Sequence, residues 1–501
     1  MGIQKMIRPM APATIWPVTN TSNRVRLDTT ACSSHTHYHS KQSTLNVISK
    51  DYIPPRPMPL PALAALARAL WRGDGNLLDL LPANAYQFDV GDLGYSRRST
   101  VMFNDPVLVR EILRDEAGVF PKSDLMVNAL EPLIGDSIFV TDGDKWRRQR
   151  AMIDPAFSQL RIAAAYPSML DSVAAFLDRV EGYARSGDAF SLDAQMSHLT
   201  ADVICRTTFS TPLDGAISND VFEDFTAFER SVAQVDIIRL IVKPAWSELE
   251  QPPQVLAACE RIRRHLGALV DLHLDENAAY DDIASAVINA RDRDTDRPFT
   301  RAELIDQLGV FFLAGHETSA SALTWVFFLL AEQPAWLARL RDEVDRVVGD
   351  QPITLDHLRE LPLVKAFFKE TLRLYPPITF LPRVALSAIQ VGRRRLRRGA
   401  LVMISPWTLH RNPRYWTDPD VFRPERFTGD SDIPSEAYIP FGQGPHTCVG
   451  AGFAQMEALL IIASLVRRFD LYRLDNKPVR PAARLTTRPA QQIFVTVASR
   501  R

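Results

Sequence analysis

The stretch that most limits what this chain can fold into runs from Thr300 to about Glu332 and is apolar almost throughout, FFLAGHETSASALTWVFFLLA at its centre. Thr300 with Glu303 three residues on makes a capping box, and Phe299 with Leu304 suits a hydrophobic staple, so one long helix is predicted. A helix apolar on every side has to be buried, in lipid or in a large core. His316 and Glu317 at its middle would be costly in lipid, which favours a core-crossing helix. With 501 residues, 46% apolar and 23% charged, the chain is long enough to enclose such a helix and a cofactor with it. Within the helix, Thr318 stands four residues after Ala314 and can hydrogen-bond its carbonyl, opening the ladder where Gly315 leaves room for a small ligand. A glycine-kinked core helix with a self-satisfied threonine is the alternative reading.

The remaining patterning expects a mainly α protein with a small β region. Residues 1–50 hold six Lys or Arg against one acid, Asp28, with thirteen Ser or Thr and no run able to span a bilayer, and read as a disordered tail. An acid-poor, Ser-rich start also fits an organellar transit peptide, or a misassigned start codon. His35, His37 and His39 alternate, so a strand there would present three imidazoles together; a solvated tract is the plainer reading. The Pro-rich 54–61 is a stiff lead-in to a helix over Ala62–Trp71. Gln87–Leu93 and Arg98–Phe103 alternate like a hairpin, and Asp105 caps a helix to about Asp115. Helical periodicity dominates from Gly143 to about Leu240, over Val255–Glu276 and over Pro334–Val348. Ile378–Val391 and Arg398–Ile404 read as strands joined by a basic turn, with five arginines between Arg393 and Arg398. The net charge of −1 gives no global attraction for nucleic acid or anionic membrane. Four dispersed cysteines point to a reducing compartment, and 49 arginines against nine lysines to a GC-rich, bacterial coding bias.

Three stretches carry chemistry. FGQGPHTCVG, Phe441 to Gly450, presents Cys448 among Gly442, Gly444 and Gly450, ahead of a helix predicted over Ala451–Arg467. A thiolate at a helix start gains from the dipole and from unpaired N–H groups, which lower its pKa and suit it to a metal, while glycines let backbone approach a flat ligand. A buried cysteine in a Gly-rich turn is the rival reading. In GDKWRRQR, Trp146 and Arg150 lie at i and i+4 and can point together at an anion; solvated surface arginines are the alternative. Glu370 and Arg373, at i and i+3, share a helix with Leu363, Val364, Phe367 and Phe368, so burial would make a bidentate pair that fixes geometry. Exposed, the same pair would be worth little.

Taken in order, these motifs resemble those of the cytochrome P450 family. Phe441, Gly444, His446, Cys448 and Gly450 match its cysteine-ligand loop, with His446 where many members carry Arg. Ala314, Gly315, Glu317 and Thr318 match its oxygen-activation motif, and Glu370 and Arg373 its ExxR, with Arg426 of FRPERF as the third partner. Trp146, Arg150 and Arg383 match its haem-propionate binders. The resemblance implies a single haem domain over residues 54–501, with haem b between the long helix and the Cys448 loop. Its axial thiolate pushes electron density onto iron and favours O–O cleavage. It implies a monooxygenase using O2, a small apolar substrate, and a separate ferredoxin with an NAD(P)H-dependent ferredoxin reductase. Thr318 would hold a hydroxyl or water near the oxygen, and Glu317 would rotate toward bulk to reload protons. Phe311, Phe312 and Phe380 are candidates to line the cavity. A soluble, cytoplasmic monomer without a transmembrane anchor follows from the same resemblance. Peroxygenase or isomerase chemistry on this scaffold, and a non-oxidising haem sensor, are the alternatives.

Overall fold

A computed structural model describes residues 52–94, 98–214, 222–225, 228, 251–275, 280–429 and 435–500. The chain divides at residue 47 into two units, and all described residues belong to the second. The tail with His35, His37 and His39 therefore lies outside them, as does much of the helical run predicted beyond residue 214. In chain order the longer helices are α1 (Ala62–Arg72), α2 (Pro106–Arg114), α3 (Asp124–Ile134), α4 (Gly143–Ile153), α5 (Tyr166–Ser186) and α6 (Leu192–Phe209). They continue as α7 (Pro253–Leu274), α8 (Arg301–Glu332), α9 (Pro334–Val348), α10 (Pro362–Leu374) and α11 (Ala451–Arg468). The mainly α class with small β sheets holds.

Helix α8 forms as its capping signature predicts. The Thr300 hydroxyl accepts from the Glu303 N–H at 3.3 Å, and the Glu303 carboxylate accepts from the Thr300 N–H at 2.8 Å. The helix is buried over most of its length and packs most extensively on α6, with α7, α3 and α10 also against it. Two of its glycines allow that closeness. A Cβ on Gly309 would stand 3.1 Å from Leu266 of α7, and one on Gly315 would stand 2.3 Å from Ile204 of α6. No helix among the described residues is long and apolar enough to cross a membrane.

The β structure lies in small sheets beside the helices. Strands β1 (Val90–Asp92) and β2 (Thr100–Phe103) pair antiparallel as the alternation predicts. The predicted single strand over Ile378–Val391 is instead two, β4 (Leu381–Val384) and β5 (Ile389–Val391), in different sheets. The arginine-rich stretch is only partly a turn, since Arg394–Leu396 forms β6 and pairs with β5 while Leu396 is buried. Strand β7 (Leu401–Ile404) pairs with β4 antiparallel and with β2 parallel, giving the order β1-β2-β7-β4. Near the C-terminus β9 (Pro481–Ala483) and β10 (Thr487–Pro489) make a hairpin hung from α8: the Thr487 carbonyl accepts from Trp325 Nε1 at 2.7 Å and from the Ser321 hydroxyl at 2.8 Å.

Helix α10 carries the most demanding electrostatics in the fold. Glu343 of α9 caps its start by accepting from the Leu363 and Val364 N–H groups. Its Glu370 and Arg373 have no solvent contact and pair bidentately, Arg373 Nε to Glu370 Oε2 at 2.7 Å and Nη2 to Oε1 at 2.8 Å. Arg426 joins them, Nε 3.4 Å from Glu370 Oε1. Removing one member of a buried pair leaves the other charge uncompensated, so Glu370→Ala is expected to cost roughly 3–5 kcal/mol. Urea unfolding of Glu370→Ala beside the parent checks this; a loss within about 1 kcal/mol, as for an exposed pair, would contradict it.

Candidate active site

A largely apolar cavity brings together residues more than three hundred apart in sequence: Ala314, Glu317 and Thr318 of α8, Trp146 and Arg150 of α4, Arg383 of β4, and Phe441, Gly442, His446 and Cys448 of the loop before α11. Gly442 and Gly444 both have positive φ, +74° and +76°. A Cβ on Gly444 would also meet the Leu113 carbonyl oxygen at 2.6 Å, a backbone contact that cannot swing aside. These glycines set the loop. Gly450 differs, with φ of −87° as the N-cap of α11 and no neighbour nearer than 3.9 Å to where a Cβ would stand, and it does not line the cavity. The expectation that it brings backbone close to a ligand is not met.

By surface area Cys448 is exposed, yet protein encloses it, and both are true because its open surface faces the cavity. Its N–H donates to the Phe441 carbonyl at 2.9 Å. Cys448 stands three residues before the first residue of α11, and the N–H that reaches its sulfur is that of the N-cap, Gly450. Burial pushes the thiol up in the protein alone, opposed by a bond from the Gly450 N–H and by the field of Arg150.

Beside the cysteine loop the wall is basic. Lys122, Arg150, Arg383 and His446 all line the cavity. Arg150 donates to the Thr447 carbonyl at 2.8 Å and pairs with Asp154 at 2.5 Å, while His446 packs tilted against Trp146 with centroids 3.9 Å apart. Burial, and then the neighbouring cations, push His446 down to about 3; burial pushes Lys122 down to about 7, with Arg383 and Arg150 adding to it against Asp142. Burial also lowers Arg383 and raises Asp142. A cluster of crowded cations of this kind is a site for anions. Lys122 was not singled out in the sequence, where a lone lysine after a proline carries no motif.

On α8 the Thr318 hydroxyl donates to the Ala314 carbonyl at 2.6 Å, as predicted. Other expectations need correction. Gly315 faces Ile204 of α6 rather than the cavity, so its missing side chain serves helix packing and opens no ligand space. Phe311 and Phe380 line the cavity, but Phe312 turns away onto Phe225, ring centroids 4.6 Å apart. Glu317 is not free to rotate toward bulk: both of its oxygens accept from Arg488, and Oε1 also accepts from the Thr486 hydroxyl. Arg488 in turn donates to Asp193 at 2.6 Å and to Ser197 at 3.0 Å. It lies 171 residues from Glu317, beyond any local sequence signal.

The donor set fits a flat dicarboxylate macrocycle holding iron: a soft sulfur for the metal, apolar walls for the ring, and a cluster of basic side chains for its carboxylates. Comparisons agree. A family model described as Cytochrome P450 matches residues 55–497. The cyclooctat-9-en-7-ol 5-monooxygenase of Streptomyces melanosporofaciens is 31% identical over 415 residues, 80% of this chain and 86% of that protein. The chloroplastic protein LUTEIN DEFICIENT 5 of Arabidopsis thaliana is 30% identical over 79% of this chain and 69% of that protein. Among solved structures, the heme domain of cytochrome P450DA superposes with a TM-score of 0.75 at 24% identity, covering 90% of this chain and 98% of that one.

Three substitutions test this geometry. Gly444→Ala is expected to destabilise the fold by about 1–3 kcal/mol or more, since positive φ and a backbone clash act together, whereas Gly442→Ala meets only the first. Thermal and urea unfolding of the two variants side by side checks the order. Lys122→Met should weaken cofactor retention by about tenfold, the worth of one charged hydrogen bond, as read by transfer to a competing apo-globin.

Proposed function

The chain belongs to the cytochrome P450 family and is a haem-dependent monooxygenase, and from that premise we propose that Cys448 is the residue whose thiolate would hold the haem iron. The observation that supports this most is that the Cys448 sulfur and the Ala314–Thr318 segment of α8 face one apolar cavity. Haem bound there supplies reductive activation of O2 and transfer of one oxygen atom to substrate. Lys122, Arg150, Arg383 and Trp146 hold and orient its carboxylates, and neutral His446 fills the wall between them without adding charge. Met126, Leu130, Phe311, Phe380 and Leu485 line the rest and exclude water. Thr318 holds a hydroxyl proton at the cavity wall, resting on Ala314.

That lining binds an uncharged, hydrocarbon-rich molecule, of the kind named in the relative that acts on cyclooctat-9-en-7-ol. Among the described residues the apolar part of the lining offers a substrate carboxylate no cation of its own, so its lost hydration would cost several kcal/mol. Electrons come from a separate acidic ferredoxin, which docks beside the cysteine loop where Arg114 is exposed and its backbone lies against Gly444. The enzyme works as a monomer over residues 54–501.

Reduced and CO-bound, the protein should show the far-red Soret band of thiolate ligation; Cys448→Ala should abolish it, while Cys205→Ala and Cys259→Ala keep it. A thiolate band surviving in Cys448→Ala would remove the assignment. Substrate-induced Soret shifts should favour neutral cyclic alcohols over fatty carboxylates by about tenfold or more in Kd. Arg114→Glu should slow reduction by an acidic ferredoxin about tenfold at low salt, and the difference should shrink as salt is raised.

A further inference from the structure

Glu457 stands on α11 nine residues after Cys448 and is enclosed by protein, 1% exposed. Its Oε2 accepts from the Ser319 hydroxyl of α8 at 2.6 Å, and its Oε1 has no hydrogen-bond partner among the described residues. No cation among the described residues acts on it. Burial raises it to about 8, opposed only by the Ser319 bond. Leaving an uncompensated carboxylate in such surroundings costs far more than protonating it. Ser319 itself lines the cavity and follows Thr318 in the chain, and Ala454 and Ala458, which flank Glu457 on α11, line it as well. By contrast Glu317, whose two oxygens both accept from Arg488, is arranged to accept hydrogen bonds and not to give a proton.

We propose that Glu457 rests as the neutral acid and is the store from which the α8 wall of the cavity draws a proton, through the Ser319 hydroxyl. The role rests on the monooxygenase reading, because that reaction consumes two protons per turnover as one oxygen atom of O2 leaves as water. In the transfer the hydrogen bond between them reverses: Ser319 turns its O–H toward the cavity and the Glu457 Oε2–H donates to Ser319 Oγ, then the Glu457 O–H breaks as a new O–H forms on Oγ, while the original Ser319 proton moves on into the cavity and ends in that water. Ser319 is unchanged, Glu457 is left as a carboxylate, and a proton from bulk solvent restores it before the next turnover. Glu457 does not itself line the cavity and acts only through Ser319, which does, so it is a positioning residue for the proton.

Infrared spectroscopy of the holoenzyme at pH 7 tests the resting state. The carbonyl stretch of a protonated carboxyl is expected in the parent, shifted in D2O, lost in Glu457→Gln and kept in Glu317→Gln. Absence of the band in the parent, or its survival in Glu457→Gln, overturns the proposal. Should Glu457→Gln fail to accumulate, Ser319→Ala decides, since removing the hydrogen bond must shift the band; an unshifted band overturns the assignment. The transfer itself is read in coupling. Product per NADPH should fall about tenfold in Glu457→Gln and in Ser319→Ala, with a larger solvent isotope effect and an unchanged thiolate CO band, a loss in the lower range for a positioned acid. Parent-like coupling and isotope effect in both variants would make Glu457 a structural acid only. Failure of the monooxygenase reading is distinct: it would show as a parent protein with no thiolate CO band, whatever the infrared spectrum shows.

Discussion

Glu370 and Arg373 face each other where no water reaches, and buried charge is tolerated only when each hydrogen-bonding position is met. Meeting them ties down distant chain. The remaining N–H groups of Arg373 go to the carbonyls of His410, Pro419 and Val421, and Glu370 Oε1 also accepts from the Arg423 N–H at 2.8 Å. The coil from His410 to Arg426, which has little regular structure of its own, is thereby fixed to α10. His410 extends the hold. Burial, then Arg373, keep it far below its usual pKa, at about 3, so it is neutral. Its Nε2 accepts from the Ile439 N–H at 2.9 Å, which leaves the proton on Nδ1 to donate to the Arg373 carbonyl at 3.2 Å. Ile439 stands two residues before Phe441, so the position of the cysteine loop descends, bond by bond, from one buried ion pair.

The second wall of the cavity is fixed by different means. Helix α8 is held between α6 and α7 by apolar burial on all sides and by contact through Gly309 and Gly315, with the Arg263–Asp306 and Arg301–Asp271 pairs tying it to α7 nearer its start. Its polar groups are used to suspend what lies across the cavity. Ser321 and Trp325 hold the Thr487 carbonyl, and Glu317 holds Thr486 and Arg488 on either side of it. The hairpin of β9 and β10 thus hangs its Leu485–Thr486 turn into the cavity from α8 itself. A stacked Trp325 and Tyr375, 3.8 Å apart and parallel, carry the connection on to the Pro-rich lead-in, where the Tyr375 hydroxyl donates to Pro55.

What the sequence made legible was whatever depends on near neighbours in the chain. The capping box at Thr300, the Thr318–Ala314 bond, the Glu370–Arg373 pair and the Asp105 cap all join residues within four positions of one another, and all form. The Cys448 loop was legible as a pattern of glycines about a thiol. What escaped were the side chains whose setting is made only by the fold. Arg488, Lys122 and Glu457 belong to no local motif, and each matters because of what is packed on it from far along the chain. The misreadings have the same source. Gly315 and Phe312 belong to a stretch that faces the cavity at Ala314, but a helix turns about 100° per residue, so their neighbours on the other side are Ile204 and Phe225. The rotation of the helix about its axis is set by α6, and no residue of α8 alone encodes it.

Three buried glutamates near this cavity show how far identical side chains diverge. Among the described residues Glu370 meets two arginines and a backbone N–H, Glu317 meets Arg488 and Thr486, and Glu457 meets Ser319. The number of cations decides the use. Two cations make the first a fixed structural anion, since withdrawing either proton donor strands a charge without water. One cation makes the second an anion whose partner also reaches Asp193 and Ser197, so that its place is shared with groups nearer the surface. No cation leaves the third as the group for which the neutral form is the cheaper one in this setting, and a neutral acid is the only one of the three with a proton to lose. A dry active site that must deliver protons is served by a carboxyl held without an arginine, and of these three that carboxyl is Glu457.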